Sequence, residues 1–271
     1  MTAERTTPEA ITAGAVASFD GCTDPRLREL MQAFVSHLHA FASEVELTEG
    51  EWRGLVDALA HPAPSGATES TVLGPFYVPG SPLRTFGESM AEEPAGTPAW
   101  VHGHVLSTSD EPIAGAELDV WQNGDDRLYA VQRPDAPEDH LRGRYRTRDD
   151  GSFSFVAVRP VAYPIPDDGP VGRMLAATGR HPWRPAHIHM IVRAEGFRTV
   201  ATHIFDDASE YLDSDAVFAV KSSLVRTFVE READDPERPA GIEGDWVSLE
   251  LELVLAPGVE AGEPVDPGRT A

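Results

Sequence analysis

Apolar residues change their spacing once along the chain, from a helical period to a strand period. Over residues 25–45, Leu27, Leu30, Met31, Phe34, Leu38, Phe41 and Val45 recur at three- and four-residue intervals, which marks one apolar face of a helix. Asp24 stands where an N-cap is wanted and Pro25 where a helix opens. Thr48 and Glu51 form an S/T-x-x-E capping box ahead of Trp52, Leu55, Val56 and Leu59, predicting a second, shorter helix. Proline and glycine in "HPAPSGA" end the helical pattern.

Beyond that point the period is two. "GAELDVWQN", "GSFSFVAV", "AHIHMIVR", "RTVATHIF" and "WVSLELELVLA" each alternate. Turn signals such as Asp149-Asp150-Gly151 and Glu195-Gly196 separate them. Short alternating runs with proline- and glycine-rich connections predict an all-β sandwich or barrel. One helix is expected to interrupt it at "SDAVFAVKSSLVRTFV", with Ser214 as its N-cap. The segment after Ala256 has no periodicity and is expected to be loosely ordered.

Composition removes some functions. The formal net charge of −23 over 271 residues argues against nucleic acid or an anionic membrane as the main partner. A single cysteine, Cys22, leaves no intramolecular disulfide and no cysteine-based zinc site. The start "MTAERTTPEA" has no basic segment followed by an apolar core, and no apolar run approaches the ~18 residues of a membrane helix. The expectation is a soluble cytoplasmic protein.

Candidate chemistry begins at "RPAHIHM". On a strand, His187 and His189 point to one face while Ile188 and Met190 face the other layer. Two imidazoles can then share one ion, although such a pair is also compatible with an ordinary wet face. His102 and His104 in "VHGHV" have the same spacing, with a glycine that suggests an edge strand. His37 and His39 fall on the predicted helix, where i and i+2 do not share a face. No H-E-x-x-H motif is present, which removes the usual zinc-protease arrangement. Two completions stay open. Glu195 and His203 would give a cupin-like ferrous or zinc site. A tyrosinate would favour ferric iron instead. Of five tyrosines, Tyr163 lies in the proline-stiffened loop "RPVAYPIPDDGP" and Tyr129 follows the strand "LDVWQN". A core tyrosine with a hydrogen-bonded hydroxyl is the commoner fate of either.

The ordered motifs "ATESTVLGPFYVPGSP", "LDVWQNGDDRLYAVQ", "LRGRYRTRDDGSFSF", "VRPVAYPIPDDGPVGRML" and "GRHPWRPAHIHMIV" together resemble the intradiol ring-cleaving dioxygenases, the catechol 1,2-dioxygenase-like enzymes. "YPIPDDGPVGRML" and "THIFDD" look most like the hydroxyquinol-cleaving branch. The resemblance implies a mainly β protein, with a β-sandwich catalytic core and an N-terminal α-helical linker region. It implies Fe(III) held by Tyr129, Tyr163, His187 and His189. Tyr163 and Arg184 would be catalytic. Val72, Leu73, Gly74, Phe76, Ile165, Pro166, Arg184 and His203 would line the substrate pocket. His102 and His104 match no ligand of the family, while His203 stands where catechol cleavers usually carry glutamine. The implied reaction opens hydroxyquinol (benzene-1,2,4-triol) between its adjacent hydroxyls with O2, giving 3-hydroxy-cis,cis-muconate or maleylacetate. Catechol or a chlorocatechol is the neighbouring alternative. A cupin-like Fe(II) or zinc enzyme, or a metal-free β-sandwich binding module, is the alternative of another class.

Two departures stand out. "LVDALAHPAPSGATES" runs straight across where the family carries a further helical block, which in relatives forms one wall of the pocket and part of the homodimer. Arg127 and Leu128 precede Tyr129, where relatives tend to place glycine and an aromatic residue. The expected divisions are residues 1–66 as a shortened helical region, 67–257 as the catalytic domain and 258–271 as a tail.

Overall fold

The computed structural model describes residues 8–22, 25–45, 66–93, 95–177 and 179–258. The chain divides into two compact units, residues 1–56 and 57–271. The Asp24 cap, the helix expected after Thr48 and most of the tail lie outside the described residues.

The first unit holds α1 (Pro8–Ala17) and α2 (Pro25–Glu44). Proline opens both, in keeping with its fixed φ and missing N–H. Thr12 and His39 join the two helices by a 2.9 Å hydrogen bond. His37 is exposed and His39 half-buried, so the helical pair is split between faces as its spacing requires. Leu30, Phe34, Phe41 and Val45 of the α2 stripe remain exposed.

The second unit is a sandwich of two sheets. One runs β10-β11-β1-β4, with β1 at Pro98–Ser107, β4 at Ser152–Val158, β10 at Val229–Arg231 and β11 at Trp246–Leu255. The other runs β3-β2-β7-β8-β9, with β2 at Glu117–Trp121, β3 at Arg142–Arg146, β7 at His187–Arg193, β8 at Val200–Asp206 and β9 at Val225–Arg226. A two-stranded ribbon pairs β5 (Tyr163–Pro164) with β6 (Trp183–Arg184). Alternation assigns the faces. Val101, Phe155, Leu249 and Leu251 of one sheet meet Leu118, Val120, Ile188 and Met190 of the other in one buried core. Each such side chain contributes about 1.5–3 kcal/mol by leaving water. The other face of the second sheet is thereby left to Asp119, Trp121, His187, His189 and His203.

Three local expectations are corrected or extended. The strand carrying His102 and His104 is not at an edge: β1 lies between β11 and β4. Its glycine serves close packing, since a Cβ on Gly103 (φ 149) would come within 1.8 Å of the Leu251 carbonyl oxygen on the parallel neighbour. The helix expected from Ser214 does not form. That stretch holds a 3-10 turn at Ser222–Leu224 and the short strands β9 and β10. Phe218 takes a left-handed φ of 55, and the Asp215 carboxylate accepts from the N–H groups of Val217 and Ala219, which closes a turn instead. A helix absent from the sequence reading, α3, covers Pro170–Ala177. Its signals were available: proline at the first position and Gly179 beyond the end at φ 70.

Candidate active site

β7 delivers His187 and His189 to one face, as its alternation requires. Their Nε2 atoms lie 3.2 Å apart. Tyr129 follows β2 across a tight turn. Asp126 accepts from the Leu128 N–H, and Gln132 Oε1 accepts from the Tyr129 N–H at 3.0 Å. Arg127 keeps a left-handed φ of 68 in this turn, a conformation glycine adopts without strain. The Tyr129 hydroxyl thereby reaches 3.1 Å from His189 Nε2. Tyr163 arrives on β5 directly opposite Arg184 on β6. Asn123 Nδ2 donates to the Val161 carbonyl at 3.0 Å, tying the Tyr163 loop to the end of β2. Arg184 Nη1 lies 3.4 Å from the Tyr163 hydroxyl and 3.3 Å from His187 Nε2. Three segments remote in the chain, carrying Tyr129, Tyr163 and residues 184–189, thus meet within hydrogen-bonding distances.

Among the described residues, His187, His189 and His203 form the one group of histidine, cysteine and acidic side chains able to hold a metal. His102 instead stacks on Trp100 and hydrogen-bonds Ser248 at 3.1 Å. Glu195 is exposed in the turn after β7, so the cupin-like completion lacks its carboxylate. His203 stands opposite His189 across the β7–β8 ladder. Its Nδ1 shares a hydrogen bond with the Thr71 hydroxyl, and its buried Nε2 has no partner.

The electrostatics suit a cation. Burial, then the charge of Arg184, holds His187 well below the ordinary histidine pKa; burial and the neighbouring imidazole and guanidinium do the same for His189 and His203. Neutral imidazoles are the ligand form. Burial, then Tyr163, pushes Tyr129 well above the ordinary phenol value, so its phenolate needs a compensating positive charge. Arg184 is buried against Asp215, a residue the sequence reading did not single out, at 3.1 Å. Burial alone would favour losing its proton, but Tyr163 and Asp215 outweigh that and raise its pKa. Two phenols and two neutral imidazoles whose Nε2 atoms converge fit a bound metal cation.

The residues expected to line the pocket lie as follows. Phe76 stacks on Tyr129 with centroids 4.5 Å apart and meets Tyr163 edge-on. Leu73 and Ile165 join Tyr129, Tyr163 and Trp121 in one apolar cluster. Gly74 lies against His189. Val72 packs with Phe205, Ala219 and Leu224, and Pro166 is exposed. Trp121, stacked on His189, was also missed, although its i,i+2 relation to Asp119 on β2 placed it on this face.

Comparison with known proteins agrees with this geometry. The family model described as "Dioxygenase" matches residues 72–250, and that described as "Catechol dioxygenase N terminus" matches residues 24–67. The chain belongs to the intradiol ring-cleaving dioxygenases. Among its relatives, it is 43% identical to a hydroxyquinol 1,2-dioxygenase of Nocardioides simplex, covering 89% of this chain and 92% of the relative. It is 34% identical to a catechol 1,2-dioxygenase of Candida albicans, covering 92% of each. The structure of a hydroxyquinol 1,2-dioxygenase from Pseudomonas putida DLL-E4 superposes with a TM-score of 0.73 at 41% identity, covering 93% of this chain and 99% of that one. The Nocardioides alignment spans 272 positions yet covers only 89% of this chain. That relative therefore carries residues this chain lacks.

Proposed function

We propose that this intradiol dioxygenase cleaves hydroxyquinol between its two adjacent hydroxyls, at one Fe(III) held by Tyr129, Tyr163, His187 and His189. The product is 3-hydroxy-cis,cis-muconate, the enol form of maleylacetate. The observation that carries the reading is the meeting of two phenols and two neutral imidazoles, with Tyr129 3.1 Å from His189 and His189 3.2 Å from His187. The relatives named hydroxyquinol 1,2-dioxygenase support the choice of substrate.

Ferric iron, when bound, supplies a Lewis acid that lowers the pKa of a ring diol and of the phenols beside it. The chain supplies the rest. Burial keeps the imidazoles unprotonated and ready to donate. Tyr163, once its own proton is lost to give the phenolate, would take a proton from the diol on that oxygen, and Arg184 beside it would steady negative charge on the reacting oxygens through charge-assisted contacts. Phe76, Leu73 and Ile165 offer apolar surface to a flat ring and keep water away. His203 is proposed as the polar group that distinguishes a third ring hydroxyl, because a buried donor or acceptor rejects a ring that leaves it unpaired. Both oxygen atoms of O2 end in the product, so no external reductant is consumed. Residues 67–257 are proposed as the catalytic domain. A homodimer would form through the exposed apolar stripe of α2, and the shortened helical region counts against it.

Oxygen uptake by iron-loaded protein over a panel of hydroxyquinol, catechol and a chlorocatechol tests the reading. Uptake fastest with hydroxyquinol, at one O2 per triol and without added reductant, is expected. No uptake with any of the three would overturn it.

A further inference from the structure

The two imidazoles of "HIH" are held in different ways. His187 Nδ1 donates to the Pro185 carbonyl at 2.7 Å, which fixes its tautomer and leaves Nε2 free to face the site. This is the usual arrangement for a metal-bound imidazole, whose second nitrogen hydrogen-bonds to a carbonyl or carboxylate. His189 Nδ1 is buried and has no hydrogen-bond partner. Its ring must take its plane from something else.

The ladder supplies it. Trp121, His189 and His203 are successive cross-strand partners on β2, β7 and β8. The indole lies nearly parallel to His189, with centroids 4.6 Å apart at 12°. The tilted ring of His203 closes the other side at 4.2 Å. At its edge, Gly74 leaves so little room that an added Cβ would stand 3.3 Å from His189 Cε1. The indole is itself braced. Tyr77 packs against it at 4.9 Å, and the Tyr77 hydroxyl donates at 2.9 Å to Asp119, two residues before Trp121 on the same face of β2.

We propose that Trp121 is the positioning residue of His189: the indole face, braced by Tyr77 and Asp119, holds the imidazole plane where a hydrogen bond normally does. The proposal rests on reading His189 as an iron ligand. A flat ring at position 121 is then needed for a single ligand geometry. An aliphatic side chain frees the imidazole to turn about its χ2, because Nδ1 makes no hydrogen bond that would restore it.

Iron release to a chelator, together with the electron paramagnetic resonance signal of high-spin Fe(III), tests this in wild type, Trp121→Phe, Trp121→Leu and Tyr77→Phe. Wild type and Trp121→Phe should share one signal and release iron at similar rates. Trp121→Leu should release iron about tenfold faster or more, with a broadened, heterogeneous signal. Tyr77→Phe should change in the same direction by less. Melting of the iron-free variants separates loss of fold from loss of ligand geometry. A folded Trp121→Leu that matches wild type in signal and release rate overturns the proposal. If that variant does not fold, Tyr77→Phe decides, and a wild-type signal and release rate there overturn it. Wild-type protein that takes up no iron overturns the metal reading itself, and this inference with it.

Discussion

Arg184 and Asp215 form an ion pair that is almost wholly buried, with Nε 3.1 Å from Oδ1 and Nη2 3.4 Å from Oδ2. The same carboxylate accepts two backbone N–H groups, so it holds the turn that replaces the expected helix. It also aims the far side of the guanidinium at Tyr163 and His187. Asp215→Asn removes the charge that compensates Arg184 while nearly preserving shape. A stability loss of about 3 kcal/mol, measured by urea unfolding, is expected together with a fall in kcat. Arg184→Lys should not rescue activity, because an ammonium cannot span Asp215 and Tyr163 at once.

Phe76 covers the Tyr129 ring face to face. Truncation to alanine removes an aromatic pair worth roughly 1 kcal/mol beyond its area and opens one wall to water. Steady-state kinetics of Phe76→Ala should show KM for hydroxyquinol rising more than kcat falls. The reverse pattern would assign Phe76 to the chemical step.

Acid should weaken the iron-free protein. His187, His189 and His203 all sit well below the ordinary value of 6.5 in the native state. An unfolded chain takes these protons near pH 6.5, whereas the folded one does so only at much lower pH. Their contribution is therefore complete above about pH 6.5 and is lost as the pH falls towards the native values. Asp119, raised by burial, acts with the opposite sign but is one group against three. Melting temperature should drop on acidification below about pH 6.5, and His203→Gln should flatten that slope. An equal slope in both proteins would place the acid sensitivity elsewhere.

Gly103 and His102 separate structure from chemistry on the second H-x-H. Gly103→Ala forces a methyl into the Leu251 carbonyl and should lower the melting temperature sharply. His102→Gln should leave iron content and the visible spectrum unchanged. Loss of iron in His102→Gln would revive the rival histidine pair.

The period-two runs made β2, β4, β7, β8 and β11 legible because each strand sends alternate residues into the one core between the sheets. β1 was misplaced at an edge because glycine in a strand signals either a weak edge or a close neighbour, and only the pairing with β11 distinguishes them. The stretch from Ser214 forms no helix because the Asp215 carboxylate closes a turn and pairs with Arg184. Local spacing carries no record of a partner 31 residues away. Tyr129 and Tyr163 were named through family motifs rather than periodicity, and the ribbon that sets Tyr163 opposite Arg184 gives their placement its physical basis. Trp121 and Asp215 were missed because each acts through a contact made only in the folded chain.

The visible spectrum of aerobically iron-loaded protein, read beside its metal content, tests the central claim most directly. One iron per chain should accompany a broad tyrosinate-to-Fe(III) band, and Tyr129→Phe should shift and weaken that band while part of it survives through Tyr163. Colourless wild-type protein at full iron loading, or a band that Tyr129→Phe leaves untouched, would contradict the four-residue ferric site.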